Sequence, residues 1–498
     1  MKHYIKVRFE PVGKEIDVIS DTPLTDLVQE YGVDFPCGQK GICGKCKVKI
    51  LEGDIPLSSF HKRALEKLNL GKEWRLACLS AVKTDLVLAV DQWQQVVLDD
   101  QTEFPFEPAE GNGIAIDMGT TTLVSQLVDR STGQVLGVEV GMNPQYRYGA
   151  DIISRIEFGI STKHHAKKLQ LCLWNEVREH IRKLNERSNA PIKKIVMVGN
   201  TFIHHAFNGL DLQPLALYPF HSDSTGIQYI DPHQLEPYLP DDSTIVFLPC
   251  IGGFVGSDIL AGILATGIYK SDVMNLLIDL GTNGEIVVGN KDHIICASTA
   301  AGPAFEGTNI SMGMKATRGA ISSVFQNNMN ISFHVIGNED EKGICGSGLI
   351  DIMAVLREME YMDETGQMTN NASSIQISDK VSVTQKDIRE FQLAKAAVAA
   401  GSEILLNQLK VSPDDLVNIY IAGAFGNYIN LENSRKVGLI NYPPEKIIRA
   451  SNAALRGAKM ALFRDEDFIL PVLSRIQHFE LEKDPCFQDQ FANQMFFF

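Results

Sequence analysis

The stretch GIAIDMGTTTLV (residues 113–124) decides how this chain is read. An apolar strand runs into Asp117, a tight turn through Met118, Gly119, Thr120, Thr121 and Thr122 follows, and a second apolar strand returns. Glycine in such a hairpin lets backbone N–H groups converge on a phosphate, and threonine hydroxyls add donors. An aspartate at the strand end can hold Mg²⁺ or orient a water. One such turn is a weak signal, since many hairpins contain Asp and Gly.

The same device recurs 162 residues later as LLIDLGTNGEIVV (276–288), with Asp279, Gly281, Thr282, Asn283 and Gly284. Chain duplication is the simplest explanation, and two copies point to a nucleotide held between them. A third element, VNIYIAGAFGN (417–427), is an apolar strand ending in a turn of Gly423, Ala424, Phe425 and Gly426, where the backbone can close over an adenosine. Between these turns strand-like and helix-like stretches alternate, including helical patterns over 167–187, 346–356 and 387–409 and strands over 194–200 and 244–248. That alternation implies α/β layers.

Upstream, the nine cysteines of this 498-residue chain are unevenly spread: Cys37, Cys43, Cys46 and Cys78 crowd the first 80 residues, and five stand singly beyond. Alternating segments at 5–9 and 14–18 predict a hairpin, 22–32 a short helix, 47–53 a strand and 85–90 a final strand. The loop PCGQKGICGKC (36–46) carries C-x5-C-x2-C, with Cys78 after 31 further residues. Only Cys43 and Cys46 form the close pair that structural zinc uses, whereas three thiols on a Gly-rich loop with a distant fourth match a [2Fe–2S] arrangement. A zinc knuckle and unligated core thiols are the competing readings. Lys40, Lys45 and Lys47 can offset cluster charge, dock an acidic electron donor, or simply face water.

Composition agrees with several domains: 44% of residues are hydrophobic and 21% charged, without low-complexity tracts. The division expected is 1–92, a linker over 93–112, a first lobe over 113–272 and a second over 273–498. Net charge is −15, and it is confined to the body, because residues 1–92 carry +1. This disfavours nucleic acid and anionic membranes as partners. With no signal-like start and no spanning apolar run, a cytoplasmic protein is expected.

The cysteine region resembles the [2Fe–2S] ferredoxin domain in its longer-loop, adrenodoxin-like version, which implies a β-grasp fold. Asp117-Met-Gly-Thr, Asp279-Leu-Gly-Thr-Asn-Gly and Ile421-Ala-Gly-Ala-Phe-Gly resemble the phosphate-1, phosphate-2 and adenosine motifs of the actin, sugar kinase and Hsp70 ATPase superfamily. A ferredoxin head on such a body, with VGNTFIHH (198–205) and DPCFQDQF (484–491), is similar to the reductive activators of corrinoid-dependent methyltransferase systems. The resemblance implies a multidomain α+β and α/β chain with a two-lobed ATPase body, a [2Fe–2S] cluster, ATP and Mg²⁺. It further implies a corrinoid protein as partner, a low-potential electron donor, a homodimer, and ATP-dependent reduction of cob(II)amide to cob(I)amide. The linker here is shorter than in some members. A ferredoxin-linked small-molecule kinase and a redox-gated ATP-binding regulator are the other functions considered.

The remaining features read as structure. His164-His165 and His204-His205 are neighbours that point apart on a helix, so core or solvated roles are expected rather than metal ligation. Cys345 in a Gly-rich helix start is expected as a small buried residue rather than a nucleophile. The Phe-rich tail over 487–498 is expected to dock on its own chain.

Overall fold

The computed structural model describes residues 4–10, 14–28, 33, 41–42, 44, 46–68, 70–89, 104–149, 151–218, 220–235, 239–281, 283–328, 330–369, 373–423, 426 and 428–497. Cys37, Cys43, Lys40, Lys45, Thr282, Ala424 and Phe425 lie outside them, as does most of the expected linker.

The head is a five-stranded sheet. Its elements are β1 (Tyr4–Glu10), β2 (Lys14–Ile19), α1 (Thr25–Val28), β3 (Lys47–Glu52), α2 (Ser59–Lys67), β4 (Trp74–Leu76) and β5 (Leu86–Ala89), in sheet order β2-β1-β5-β3-β4. Alternation sets its core: Ile5, Val7 and Phe9 are buried while Tyr4, Lys6 and Arg8 are exposed. β1 lies parallel to β5 and antiparallel to β2, a β-grasp arrangement in accord with the sequence expectation. Helix α2 is an element that apolar periodicity does not announce, since His61 and Leu65 are its only buried residues.

The body holds two six-stranded sheets that share the topology of five strands and differ in the edge at which the sixth is added. The first uses β6 (Asn112–Met118), β7 (Thr122–Asp129), β8 (Val135–Met142), α3 (Ile152–Ser161), α4 (Lys163–Asn185), β9 (Ile192–Gly199), α5 (Thr201–Asn208), α6 (Gln213–Ala216), β10 (Gln228–Ile230), α7 (Pro232–Leu235), β11 (Thr244–Phe247) and α8 (Ser257–Thr266). Its order is β10-β11-β9-β6-β7-β8. The second lobe follows with β12 (Asn275–Leu280), β13 (Gly284–Gly289), β14 (Ile294–Thr299), β15 (Ala320–Asn327), β16 (Asn330–Val335), β17 (Gly343–Ile344), α9 (Gly346–Glu358), β18 (Ser374–Gln376), β19 (Ser382–Thr384), α10 (Gln385–Leu409), β20 (Asn418–Ala422), α11 (Leu431–Lys436), β21 (Ile447–Ser451), α12 (Ala453–Ala461), α13 (Glu466–Leu473), β22 (Ile476–His478) and α14 (Phe487–Asn493). Its main sheet runs β21-β20-β12-β13-β14-β22.

In each sheet an antiparallel meander of three strands is extended by two parallel ones: β9 and β11 beside β6, β20 and β21 beside β12. The duplication inferred from the two Asp-Gly turns is thus repeated in strand order. Both turns join the first two strands of their meander, so they stand at equivalent places on facing lobes.

Helices α8 and α12 fill the space between the sheets. One buried cluster joins Ala115 and Val196 of the first sheet to Leu277 and Val287 of the second through Leu260, Ile263, Ala454 and Ala458. The outer faces carry separate cores, Leu173, Val177 and Phe207 on one side and Met353, Phe391 and Leu405 on the other. The tail docks as expected. Phe497 is 3% exposed and its ring lies parallel to that of Phe391 at 6.1 Å, while Gln392 Nε2 donates to Met495 O at 2.7 Å. No helix among the described residues is long and apolar enough to cross a membrane.

Candidate functional site

Two places gather chemistry. In the head, Cys46 follows the glycine-rich loop and Cys78 sits in a 3-10 turn at the end of β4, with their sulfurs 3.2 Å apart. The Cys78 contact draws the Cys46 thiol down to about 7 against its burial, so the thiolate needed for ligation is available near neutrality. Gly41 and Gly44 both adopt φ of +70°, and a Cβ on Gly41 would stand 2.7 Å from Leu79 Cδ1. Side chains are therefore excluded from the loop backbone where it would wrap inorganic sulfide. These features fit a [2Fe–2S] centre; Cys37 and Cys43 fall outside the described residues.

The second place is a cavity of about 740 Å³ between the lobes. The first hairpin contributes Asp117, Gly119, Thr120, Thr121 and Thr122, and the second Asp279, Gly281 and Asn283. Gly423 reaches it from the end of β20 at φ +87°, where a Cβ would lie 2.9 Å from Asp279 Oδ1. The backbone thus approaches the acid as only glycine can. Gly284 and Gly426 do not line the cavity: the first packs towards Val398 and the second towards Ile421.

Sequence patterns single out two of the five acids on the cavity wall, and Glu306 is among those they miss. Asp258, at the start of α8, and Glu285, the second residue of β13, join Asp117 and Asp279 on the cavity wall. Burial, followed by repulsion from Asp279 and Asp117, pushes Asp258 up to about 7. Burial and then Asp117 raise Asp279 to about 7, and burial raises Asp117 to about 6 despite a hydrogen bond from Asn452. Glu285 is held well above the carboxylate range by burial, Asp258 and Asp279. A cluster of like charges in a half-dry cleft is a site that calls for a cation. Among the described residues no group of three or more His, Cys, Asp and Glu is arranged to hold a metal ion unaided. The donor set suits Mg²⁺, which typically takes one or two carboxylates and completes its shell with phosphate and water.

The lobes also meet directly across the cavity. Asn452 Nδ2 donates to Asp117 Oδ2 at 3.0 Å, and Thr121 Oγ1 donates to Glu306 Oε2 at 3.2 Å. Asn200, which caps α5, donates to Thr120 Oγ1 at 3.1 Å and fixes that hydroxyl. Cys345 is buried at the wall, 3.4 Å from Ser347 Oγ, as a packed thiol. His204 and His205 are both buried and bind loop groups, Gly226 O at 3.1 Å and Ser222 Oγ at 2.7 Å respectively. Both rings are packed as core side chains.

Comparison with known proteins agrees module by module. Family models match the 2Fe-2S iron-sulfur cluster binding domain over residues 7–83, the RACo middle region over 112–271, and the C-terminal domain of RACo, the ASKHA domain, over 273–498. The corrinoid activation enzyme RamQ of Eubacterium limosum is 30% identical over 99% of each chain. The [Co(II) methylated amine-specific corrinoid protein] reductase of Methanosarcina barkeri is 26% identical over 70% of this chain and 69% of its own. A solved structure, the reductive activator for corrinoid,iron-sulfur protein, superposes with a TM-score of 0.68 at 26% identity, covering 99% of this chain and 98% of that one. With a ferredoxin head, two duplicated lobes and a relative matched from end to end, this chain belongs to the family of corrinoid activation enzymes.

Proposed function

We propose that this protein is an ATP-dependent reductive activator, which returns the cob(II)amide of a corrinoid protein to cob(I)amide by passing it one electron. The observation that carries the reading is the pairing of a thiolate site in the head with a carboxylate-lined cleft between duplicated lobes. Residues 1–92 form the electron-carrying head in this reading, 113–272 the first ATPase lobe and 273–498 the second, with 93–112 as linker.

Cys37, Cys43, Cys46 and Cys78 would ligate a [2Fe–2S] cluster, which supplies single electrons. The hairpins with Gly119, Thr120, Thr121, Thr122, Gly281, Thr282 and Asn283 would hold the phosphates of ATP, while Gly284 packs towards Val398 behind the second turn. Gly423, Ala424 and Phe425 would flank the adenosine, with Gly426 packed towards Ile421, and Asp117 and Asp279 would hold Mg²⁺. ATP bound there supplies the energy that the electron transfer lacks; each 30 mV of one-electron shortfall costs about 0.7 kcal/mol. Asp258 and Glu285 add to the acidic wall, where each can keep a proton at its carboxyl near neutral pH or lose it to water when a cation binds. Asn452 and Glu306 tie the lobes across the cleft, so closure and occupancy are linked.

A low-potential electron donor, a homodimeric assembly and a cytoplasmic location complete the proposal. The net charge of the body does not favour an acidic partner, so contact with the corrinoid protein would rest on shape or a local basic patch.

The test is made under argon with reduced protein, Mg–ATP and a cob(II)amide methyltransferase subunit, following cob(I)amide absorbance. Reduction should require ATP. Cys46→Ser should stop it while sparing nucleotide binding, and Asp279→Asn should abolish the ATP-dependent reduction while sparing the cluster's visible spectrum. Phosphate transfer to a metabolite, with no corrinoid reduced across several partners, would instead identify a kinase.

A further inference from the structure

The first hairpin is gripped from behind. Asn143 N–H donates to Thr121 O at 2.9 Å and its side-chain amide donates to Gly119 O at 2.9 Å, while Arg155 Nη1 donates to Thr120 O at 2.8 Å. Three successive carbonyls of the phosphate turn are thereby directed to one short segment, away from an anion in the cleft. Arg155 is fully buried and also donates to Gly149 O at 2.9 Å, which ties α3 back to the middle of that segment.

The same segment touches the head. After Asn143 the chain makes a 3-10 turn, Pro144–Tyr148, capped by the Asn143 side chain accepting from Gln145 N–H at 2.9 Å. Gln145 Nε2 donates to Leu169 O of α4 at 3.2 Å and anchors the turn to the first lobe. Its next residue, Tyr146, is 5% exposed and belongs to the buried cluster of the head, with Leu24, Leu27, Val28 and Cys46. Arg147 Nη1 stands 3.3 Å from Asp26 Oδ1 of α1. The Lys315 ammonium, on the cavity wall of the second lobe, lies 5.1 Å from the Tyr146 ring centroid. One tyrosine thus meets the head and the second lobe, and its own turn holds the phosphate hairpin.

We propose that the turn Pro144–Tyr148 makes the seat of the ferredoxin head depend on what occupies the hairpin and on how far the lobes have closed, with Tyr146 as the positioning residue. This rests on the nucleotide reading given above. A shift of the hairpin carbonyls must be taken up by Asn143 and Arg155, and any change in lobe closure moves Lys315 relative to the ring it already covers. Either displaces the aromatic plug on which α1 sits. By linkage, seating the head must in turn alter nucleotide affinity. A head released or locked by nucleotide would let electron transfer wait for ATP.

Hydrogen exchange on the full-length protein with its cluster intact tests this, with and without Mg²⁺ and the non-hydrolysable analogue adenylyl imidodiphosphate. Residues 119–122 and 144–148 should be protected, and exchange over 24–28 of the head should change by about fivefold. In Tyr146→Ala the protection of 119–122 should persist while the change over 24–28 disappears. Tyr146→Phe should restore it, and Asp26→Asn, which leaves the core intact, should reduce it. A wild-type protein whose hairpin is protected while 24–28 exchanges as before overturns the coupling and leaves the nucleotide site standing. A hairpin that saturating analogue does not protect overturns the nucleotide reading, and the coupling with it.

Discussion

Asp258 shows how acids that share one cleft shape behaviour that no single one would. Its carboxyl, like that of Asp279, is raised to about 7, and that of Asp117 to about 6, against an ordinary value of 3.8. A carboxyl raised in the folded state holds its proton there when the unfolded chain has lost it. Its contribution to stability is whole below pH 4 and drains away as pH rises towards 7. The nucleotide-free protein should therefore lose thermal stability between pH 4 and 7, by about 2–4 °C for each kcal/mol. Asp258→Asn should flatten that slope, and Mg–ADP should stabilise more at pH 8 than at pH 5.5, because a cation needs the acids ionised. An unchanged slope in Asp258→Asn, read by differential scanning fluorimetry, would sink the shared-charge account. These residues differ in how far the sequence exposes them. Asp117 and Asp279 are legible because each ends an apolar strand before a Gly turn. Asp258, Glu306 and Asn452 come from unrelated elements that converge only when the sheets and helices pack, and no local pattern marks such a meeting; Glu285 follows the second Gly turn directly but reads as an ordinary residue of the returning strand.

Among the elements, strands with one buried face were legible and elements held by a few side chains were not. β1 and β2 announce themselves by alternation, and β6 and β12 as apolar runs bounded by Asp-Gly. The sheet of β15, β16 and β17 carries no comparable signal, since β16 has no fully buried residue. The tail was legible as a docked segment from its aromatic residues, but its partner was not, because α10 lies about a hundred residues upstream. There, burial pushes the Lys395 ammonium down to about 7, and it donates to Phe496 O while lying over the Phe497 ring. Deleting residues 496–498 removes a fully packed ring from the face of α10, a loss worth roughly 3 kcal/mol. The transition of the second lobe, followed by calorimetry, should fall by several degrees while that of the head stays in place. If both transitions move together, the tail does more than complete the core of its own lobe.

At the scale of the molecule, the lobes are held together by two kinds of contact, polar bonds across the cleft and an apolar layer beneath it, and Asn452 joins the two as the N-cap of α12. Hydrogen bonds from Asn452 and Thr121 span the cavity, and an apolar layer of α8 and α12 closes its floor. That floor is close-packed through small residues: a Cβ on Gly457 of α12 would stand 2.0 Å from Ala261 O of α8. Two effects compete in Gly457→Ala. Alanine favours the helix by about 1 kcal/mol, but the contact is with backbone, which cannot rotate aside, and overpacking of this kind costs about 1–3 kcal/mol. The clash should win and force α8 and α12 apart. Since α8 begins at Ser257 and carries Asp258, while α12 begins just after Asn452, the separation should also pull Asp258 and the Asn452–Asp117 bond out of place. The variant is therefore expected to bind Mg–ATP about tenfold more weakly, an effect of about 1.4 kcal/mol, while the cluster's visible spectrum is unchanged. Gly267→Ala, at the αL end of α8 with a Cβ contact no closer than 3.4 Å, controls for backbone strain without the interhelix clash. If both variants weaken nucleotide equally, helix strain rather than the spacing of α8 and α12 governs the cleft.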